Sequence, residues 1–260
     1  MLTDKNRVAA FFNGLAQDYY QKRYACLQDI NSFGMLNRLQ KVTLLLDRYA
    51  PGPGRLVDLG CGPANIFEII QKRGYEYYGI DISTNMIRQA RRRTSQQAPC
   101  NPAMLVTGDV CHTGFPDHFF DVGLALGLMD YLQDERTFYQ EFFRLLKPGG
   151  VGLITYGNKY SYYTAVRHLL EPLSRILRAK DRVLGALKTR AFASRHEQRK
   201  LVEQGFDILE LVFLGAHIIP FNLPMPQVYF SLLAALERLW QQTHFYIGLS
   251  SFILVVKKPG

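Results

Sequence analysis

Two stretches of the chain have the residue types and spacing of a ligand clasp. Leu56-Val57-Asp58-Leu59-Gly60-Cys61-Gly62-Pro63-Ala64-Asn65 reads as a short apolar strand entering a tight glycine turn, with a helix behind it. Asp81, in Gly79-Ile80-Asp81-Ile82, closes a second strand about 20 residues further on. Glycine lets the backbone approach a ligand because no Cβ stands in the way. A carboxylate at the end of the next strand accepts hydrogen bonds from ribose hydroxyls. Together these residues predict a nucleoside cofactor.

Which nucleoside is decided by the neighbouring residues. A dinucleotide site wants a third glycine so that a helix can approach a pyrophosphate; Asn65 stands at that position. S-adenosylmethionine carries no phosphate and does not need that glycine. Thr107-Gly108-Asp109-Val110 places a further carboxylate at a strand end, where it can accept from an adenine amino group.

The elements that position these residues follow from hydrophobic periodicity. Residues 4–50 read as helical. Pro51-Gly52-Pro53-Gly54 stops them and opens a strand at Leu56–Leu59. A helix is predicted at Asn65–Lys72, a strand at Tyr77–Ile80, and a helix capped by Ser83 with Arg91-Arg92-Arg93 near its end. Strands are expected at Met104–Val106 and Asp121–Leu126, and a helix at Asp134–Lys147. Lys147-Pro148-Gly149-Gly150 reads as a turn into a strand at Val151–Tyr156. Repeated βα units imply a parallel sheet with right-handed crossovers. Beyond them come a basic, helical stretch, a strand at Ile208–Phe213, a helix at Gln227–Trp240 and a strand at Phe252–Lys257. The expectation is one domain over 1–260: a helical lid at 1–50, a cofactor-binding core at 51–157, a basic helical insertion or cap at 158–204, and C-terminal strands with an acceptor-pocket helix at 205–260.

With 260 residues, 48% apolar and 20% charged, the composition is that of a globular chain, not a disordered one. Its net charge of +9 favours anionic partners: an acidic small molecule, anionic lipid or nucleic acid. The four cysteines (Cys26, Cys61, Cys100 and Cys111) have neither metal-site nor disulfide-framework spacing. No metal is expected, and a reducing cytoplasm is the expected location. The stretch from Leu211 to Leu236 lacks charge but is broken by prolines, so it reads as a strand, a loop and a helix, with peripheral membrane contact as the alternative.

The ordered blocks 57–64, Asp81, Gly108-Asp109, the strand from Asp121 and the Lys-Pro-Gly-Gly turn resemble the class I S-adenosylmethionine-dependent methyltransferases over about residues 50–157. The segments Gly205-Phe206 through Val255-Val256-Lys257 resemble that family's last two strands, and Phe11 to Tyr20 its N-terminal helix. The resemblance implies an α/β, Rossmann-like, seven-stranded, mostly parallel sheet with helices on both faces and an antiparallel last strand. It implies S-adenosylmethionine as cofactor. Gly60, Cys61 and Gly62 would pass under the methionine, while Asp58 would hold the turn and meet the amino group. Asp81 would bind the ribose, with Ile82 and Met86 against the adenine. Gly108, Asp109 and Val110 would border the far adenine edge. Leu126 and Gly127 would line the methionine and methyl group, and Tyr19 would cover the cofactor.

Methyl transfer needs an acceptor held in line with the S–CH3 bond and water excluded. Tyr19, Tyr20, Tyr131 and Tyr156 offer aromatic faces for a cation. Where relatives carry a histidine after strand four, this chain carries Asp130, readable as a base, an acceptor-orienting group or a helix cap. His112, His168 and His217 are other candidate bases. Leu-Met-Asp-Tyr-Leu at 128–132 lacks the Pro-Pro-aromatic turn of amino-group enzymes, and Cys100 lies outside the place of a pyrimidine C5 nucleophile. The N-terminal helices, the 158–200 stretch and the 215–245 segment are rich in Tyr, Phe, Leu and Pro. They predict an apolar or aromatic small-molecule acceptor, acidic or lipid-like, methylated at oxygen. The alternatives are an RNA or protein methyltransferase using the basic face, a nicotinamide oxidoreductase (disfavoured by Asn65) and a non-catalytic cofactor-binding scaffold.

Overall fold

A computed structural model describes residues 5–24, 29–97, 103–166, 190–216 and 226–260. Seven strands form one sheet: β1 Arg55–Leu59, β2 Glu76–Asp81, β3 Met104–Thr107, β4 Phe120–Ala125, β5 Leu146–Gly157, β6 Asp207–Ala216 and β7 Leu249–Lys257. Their order is β3-β2-β1-β4-β5-β7-β6. The β3-β2-β1-β4-β5 part is parallel throughout, and β7 runs antiparallel to both β5 and β6. The Rossmann-like sheet with an antiparallel last strand is therefore as the sequence implied.

Successive residues of a strand face opposite sides of the sheet, and β1 shows the consequence. Val57 and Leu59 enter one core with Phe138, Phe142 and Leu145. Leu56 enters the other, with Val42, Leu46, Phe67 and Ile87. Helices α3 (Ile30–Tyr49), α4 (Phe67–Gln71) and α5 (Thr84–Gln97) thus cover one face, and α6 (Glu135–Leu145) and α7 (Ser194–Glu203) the other. Because α4 and α6 leave toward opposite faces, the loops after β1 and β4 part and open a crevice at the strand ends. Gly123 and Gly152 let Phe142 lie directly on the sheet: a Cβ on either would come within 2.5 Å of its ring.

Several boundaries differ from expectation, each for a local reason. Among the described residues the 4–50 region holds three helices, α1 (Lys5–Leu15), α2 (Tyr19–Arg23) and α3. Asp29 restarts the chain with a reciprocal capping box to Ser32, which satisfies the first free N–H groups of α3. Helix α4 begins at Phe67, not Asn65, because Ala64 takes a left-handed conformation (φ 56°) and holds the turn open. The Lys-Pro-Gly-Gly segment lies inside β5, where 147–150 bulge between the Phe120–Leu146 and Val122–Val151 pairs. Its Lys147 ion-pairs with Asp121 at 2.6 Å. Helix α5 runs four residues past the three arginines. Arg93 is not a helix-end charge there: it stacks on Tyr20, 3.5 Å from the ring centroid, and donates to the Pro63 carbonyl. The helix α8 (Gln227–Gln242) forms as expected. The basic stretch 167–189, with His168, and the segment 217–225, with His217, lie outside the described residues, as do Cys26 and Cys100. Among the described residues no helix is long and apolar enough to cross a membrane.

Candidate functional site

The crevice above β1, β2 and β4 deepens into a cavity enclosing about 180 Å³ open to the centre of a water molecule. Its floor is the glycine turn. Gly60 (φ 75°) and Gly62 (φ 52°) take the left-handed conformation that glycine tolerates. The amides of Gly60 and Cys61 both donate to the Ile80 carbonyl, at 2.8 and 3.1 Å, which fastens the turn to β2. Asp81 completes the clasp, its two oxygens accepting from the N–H groups of Gly62 and Ser83, both at 2.8 Å. Burial raises the Asp81 carboxyl above the ordinary range, and these two bonds pull the other way.

Asp58, at the end of β1, is buried and accepts from the Tyr77 hydroxyl at 2.7 Å. Burial pushes its carboxyl up to about 7; the Tyr77 bond lowers it and the nearby Asp81 charge raises it. Asn65 Oδ1 is buried without a hydrogen-bond partner on the cavity wall. A buried acceptor left unmatched calls for a donor.

The far wall is the β3 end. Asp109 accepts from the Cys111 amide at 3.0 Å and from Lys5 Nζ at 2.5 Å. Burial raises the Asp109 carboxyl, but the Lys5 and Cys111 bonds outweigh it and leave it below the ordinary range. Above lies a roof made by the N-terminal helices. Phe12 meets Tyr131 edge-on at 5.1 Å and Tyr19 at 6.4 Å. Tyr24, Met35, Arg38 and Leu39 also line the roof. Asn13 Oδ1 accepts from Ser83 Oγ and from the Asn85 amide, pinning α1 over α5. Arg38 has no hydrogen-bond or ion-pair partner among the described residues. It sits so close to Gly127 (φ 74°) that a Cβ there would fall 2.6 Å from Nη1.

Twelve of the thirteen residues expected at the cofactor line this one cavity: Tyr19, Asp58, Gly60, Cys61, Gly62, Asp81, Ile82, Met86, Asp109, Val110, Leu126 and Gly127. Gly108 does not. Its amide donates to the Asp81 carbonyl, and its α-carbon packs where a Cβ would meet Ile80 at 2.9 Å. Asp58 does not hold the turn, because its carboxylate is turned to Tyr77; Asp81 does that work through the Gly62 amide. Asp130 lines the cavity from a short 3-10 turn, Met129–Tyr131. The capping role belongs instead to Asp134, which accepts from the Thr137 amide. Of the four tyrosines, Tyr19 and Tyr131 reach the cavity. Tyr20 lies under Arg93, and Tyr156 is buried in the core on Tyr139. His112 is largely exposed beside Asp109. Lys5, Tyr24, Met35, Arg38 and Cys111 were not singled out from the sequence. Only Arg38 left a trace there, as a cation inside the apolar repeat of α3. No group of acidic, histidine or cysteine side chains suited to a metal occurs among the described residues.

Residues 57–154 match the family model of a methyltransferase domain. The chain is 30% identical over 148 residues to the ubiquinone/menaquinone biosynthesis C-methyltransferase UbiE of Ruegeria sp. (strain TM1040), which covers 55% of this chain and 56% of that protein. The chain spans about half the length of the curated relatives it matches. Among solved structures it is similar to magnesium protoporphyrin IX methyltransferase from Synechocystis PCC 6803 with bound SAH, with a TM-score of 0.68 and 15% identity over 98% of this chain and 100% of that one. It is also similar to the [4+2]-cyclase SpnF, with a TM-score of 0.69 and 17% identity over 100% of this chain and 97% of that one. At such identities the two structures speak for the fold alone.

Proposed function

We propose that this chain, which through residues 57–154 belongs to the class I S-adenosylmethionine-dependent methyltransferases, methylates a small apolar acceptor of quinone-like or lipid-like character at oxygen. One observation carries the reading. In a chain of net charge +9, the cavity is lined by five carboxylates (Asp58, Asp81, Asp109, Asp130 and Asp134) against two cations, Lys5 and Arg38. An acidic cavity over a glycine turn suits a cofactor that brings a sulfonium and an ammonium, and repels a pyrophosphate.

The residues divide the cofactor between them. Asp81 receives the ribose hydroxyls on the lone pairs its backbone bonds leave free. Asn65 Oδ1 and Asp58 receive the ammonium, and Arg38 meets the carboxylate. Ile82 and Met86 pack on the adenine, with Asp109 and Val110 at its edge. The bound cofactor supplies a methyl group already activated by its sulfonium. Phe12, Tyr19, Tyr24 and Tyr131 close over the reacting end, exclude water and offer ring faces to the cation. Asp130 would take the proton that a hydroxyl acceptor gives up, and the bound cofactor would supply the methyl group that replaces it on the oxygen. A second reading, transfer to carbon, draws on the Ruegeria relative's designation as a C-methyltransferase; it would use the same floor.

The test is incubation with methyl-labelled S-adenosylmethionine and a host extract. Label in an organic-soluble product, absent with Asp130→Asn while cofactor affinity is kept, supports the proposal. Label in RNA or protein, or no transfer, overturns it. The position of the new methyl in the product's NMR spectrum separates oxygen from carbon.

A further inference from the structure

Helix α8 has two apolar faces, and among the described residues only one is covered. Phe230, Leu233 and Glu237 are buried on the inner side; Phe230 stacks on Phe33 of α3 at 5.7 Å, and Glu237 accepts from Asn37 and the Gly215 amide. On the opposite side Val228, Leu232, Ala235 and Leu239 recur at spacings of four and three, which makes one stripe on a helix. Val228 is 80% exposed, and Leu232 and Leu239 are each 50% exposed. Phe245 and Ile247, just beyond the helix, are about as open. The helix carries two charged residues: Glu237 points inward, and Arg238 flanks the exposed stripe.

We propose that this outer face of α8 docks on an anionic lipid bilayer, the helix lying in the headgroup boundary with its stripe inserted. An apolar stripe edged by a cation, on a chain of net charge +9, is complementary to an anionic membrane surface and unfavourable toward a second copy of like charge. The stripe offers on the order of a few hundred Å², against about 800 Å² per partner in a stable protein interface. Its place in the fold gives the contact a use. The inner side of α8 packs on α3, and α3 supplies Met35, Arg38 and Leu39 to the roof of the cavity. A membrane-bound α8 would therefore present the roof, one helix away, to apolar molecules dissolved in the bilayer. The docking itself does not depend on the acceptor's chemistry.

The test is flotation of the full chain with vesicles of phosphatidylcholine alone and of phosphatidylcholine mixed with phosphatidylglycerol. The wild-type chain should float with the mixed vesicles and release them as salt rises. Leu232→Ser/Leu239→Ser should lower the partition coefficient by about tenfold or more. Val202→Ser, which removes an exposed apolar side chain on α7, should not. All three chains should unfold at the same temperature, since the changed residues are exposed. Absence of wild-type binding, or equal binding by the double variant, overturns the proposal. So does sedimentation showing that the wild type self-associates and the double variant does not. None of these readouts depends on methyl transfer.

Discussion

On the floor of the cavity each polar group is fixed by strand ends: Gly60 and Cys61 by the Ile80 carbonyl, Asp81 by two backbone amides, Asp58 by a buried tyrosine. The roof is held differently. Only Val8 of α1 is buried, and the contacts that hold the helix include Phe12 on Tyr131, one half-exposed ion pair, Lys5–Asp109, and Asn13 on the start of α5. The floor is built into the sheet, whereas α1 is held over it by the Phe12 ring contacts and a few polar contacts. That division suits an enzyme which must recognise one cofactor rigidly and still exchange it.

If the floor carries recognition, Asp81→Ala should have the largest effect. It removes the ribose acceptor and frees the Gly62 amide. Calorimetry should show S-adenosylmethionine binding weakened about hundredfold or more, since hydrogen bonds to a charged group contribute about 1.5–3 kcal/mol each. Unchanged affinity would move the cofactor off this floor. Arg38→Met tests whether the roof also recognises. A loss of about tenfold in cofactor affinity (~1.4 kcal/mol) is expected; a loss confined to acceptor KM would assign Arg38 to the acceptor.

Asp58 adds a pH signature to the floor. Its folded carboxyl holds its proton to about 7, whereas an unfolded aspartate releases it near pH 4. Between those values the folded state binds more protons, so this group makes the protein less stable as pH rises through that window and has no further effect above it. A bound ammonium reverses the preference. Cofactor affinity should therefore climb between pH 5 and 7, by up to about tenfold per unit, and level off above. Asp58→Asn should flatten the profile, and a wild-type profile flat over that range would separate Asp58 from the ammonium. The smallest effect belongs to the roof fastening. Lys5 is half exposed, so Lys5→Met should weaken cofactor binding less than about fivefold. The effect should show as faster release in stopped flow and fade at high salt.

Much of the floor was legible in the chain because it is local. A glycine turn needs its glycines wherever it occurs, and the strand-end carboxylates sit a fixed number of residues beyond it. Asp81, Asp109, Gly60 and Gly62 could thus be placed from spacing, and the alternating βα pattern gave the parallel sheet. Partners were less legible. The resemblance that marks Asp58 and Gly108 as site residues does not say that one turns to Tyr77 and the other packs on Ile80. Asp130 was readable as a helix cap, and only the turn geometry gives that role to Asp134.

The sequence by itself determined the sheet and the glycine clasp, because these depend on short-range periodicity and on residue types that backbone geometry demands; the cofactor followed from the resemblance of its ordered blocks to a family. A helical lid with Tyr19 was expected from the resemblance, but the tertiary structure alone decided which polar residues meet in it. Lys5, Arg38 and Asp109 are far apart in the chain, and their meeting over the glycine turn depends on how α1 and α3 pack on the sheet. It also decided which face of α8 is open. Both its faces are apolar in sequence, and among the described residues only packing against α3 and β6 buries one and leaves the other exposed.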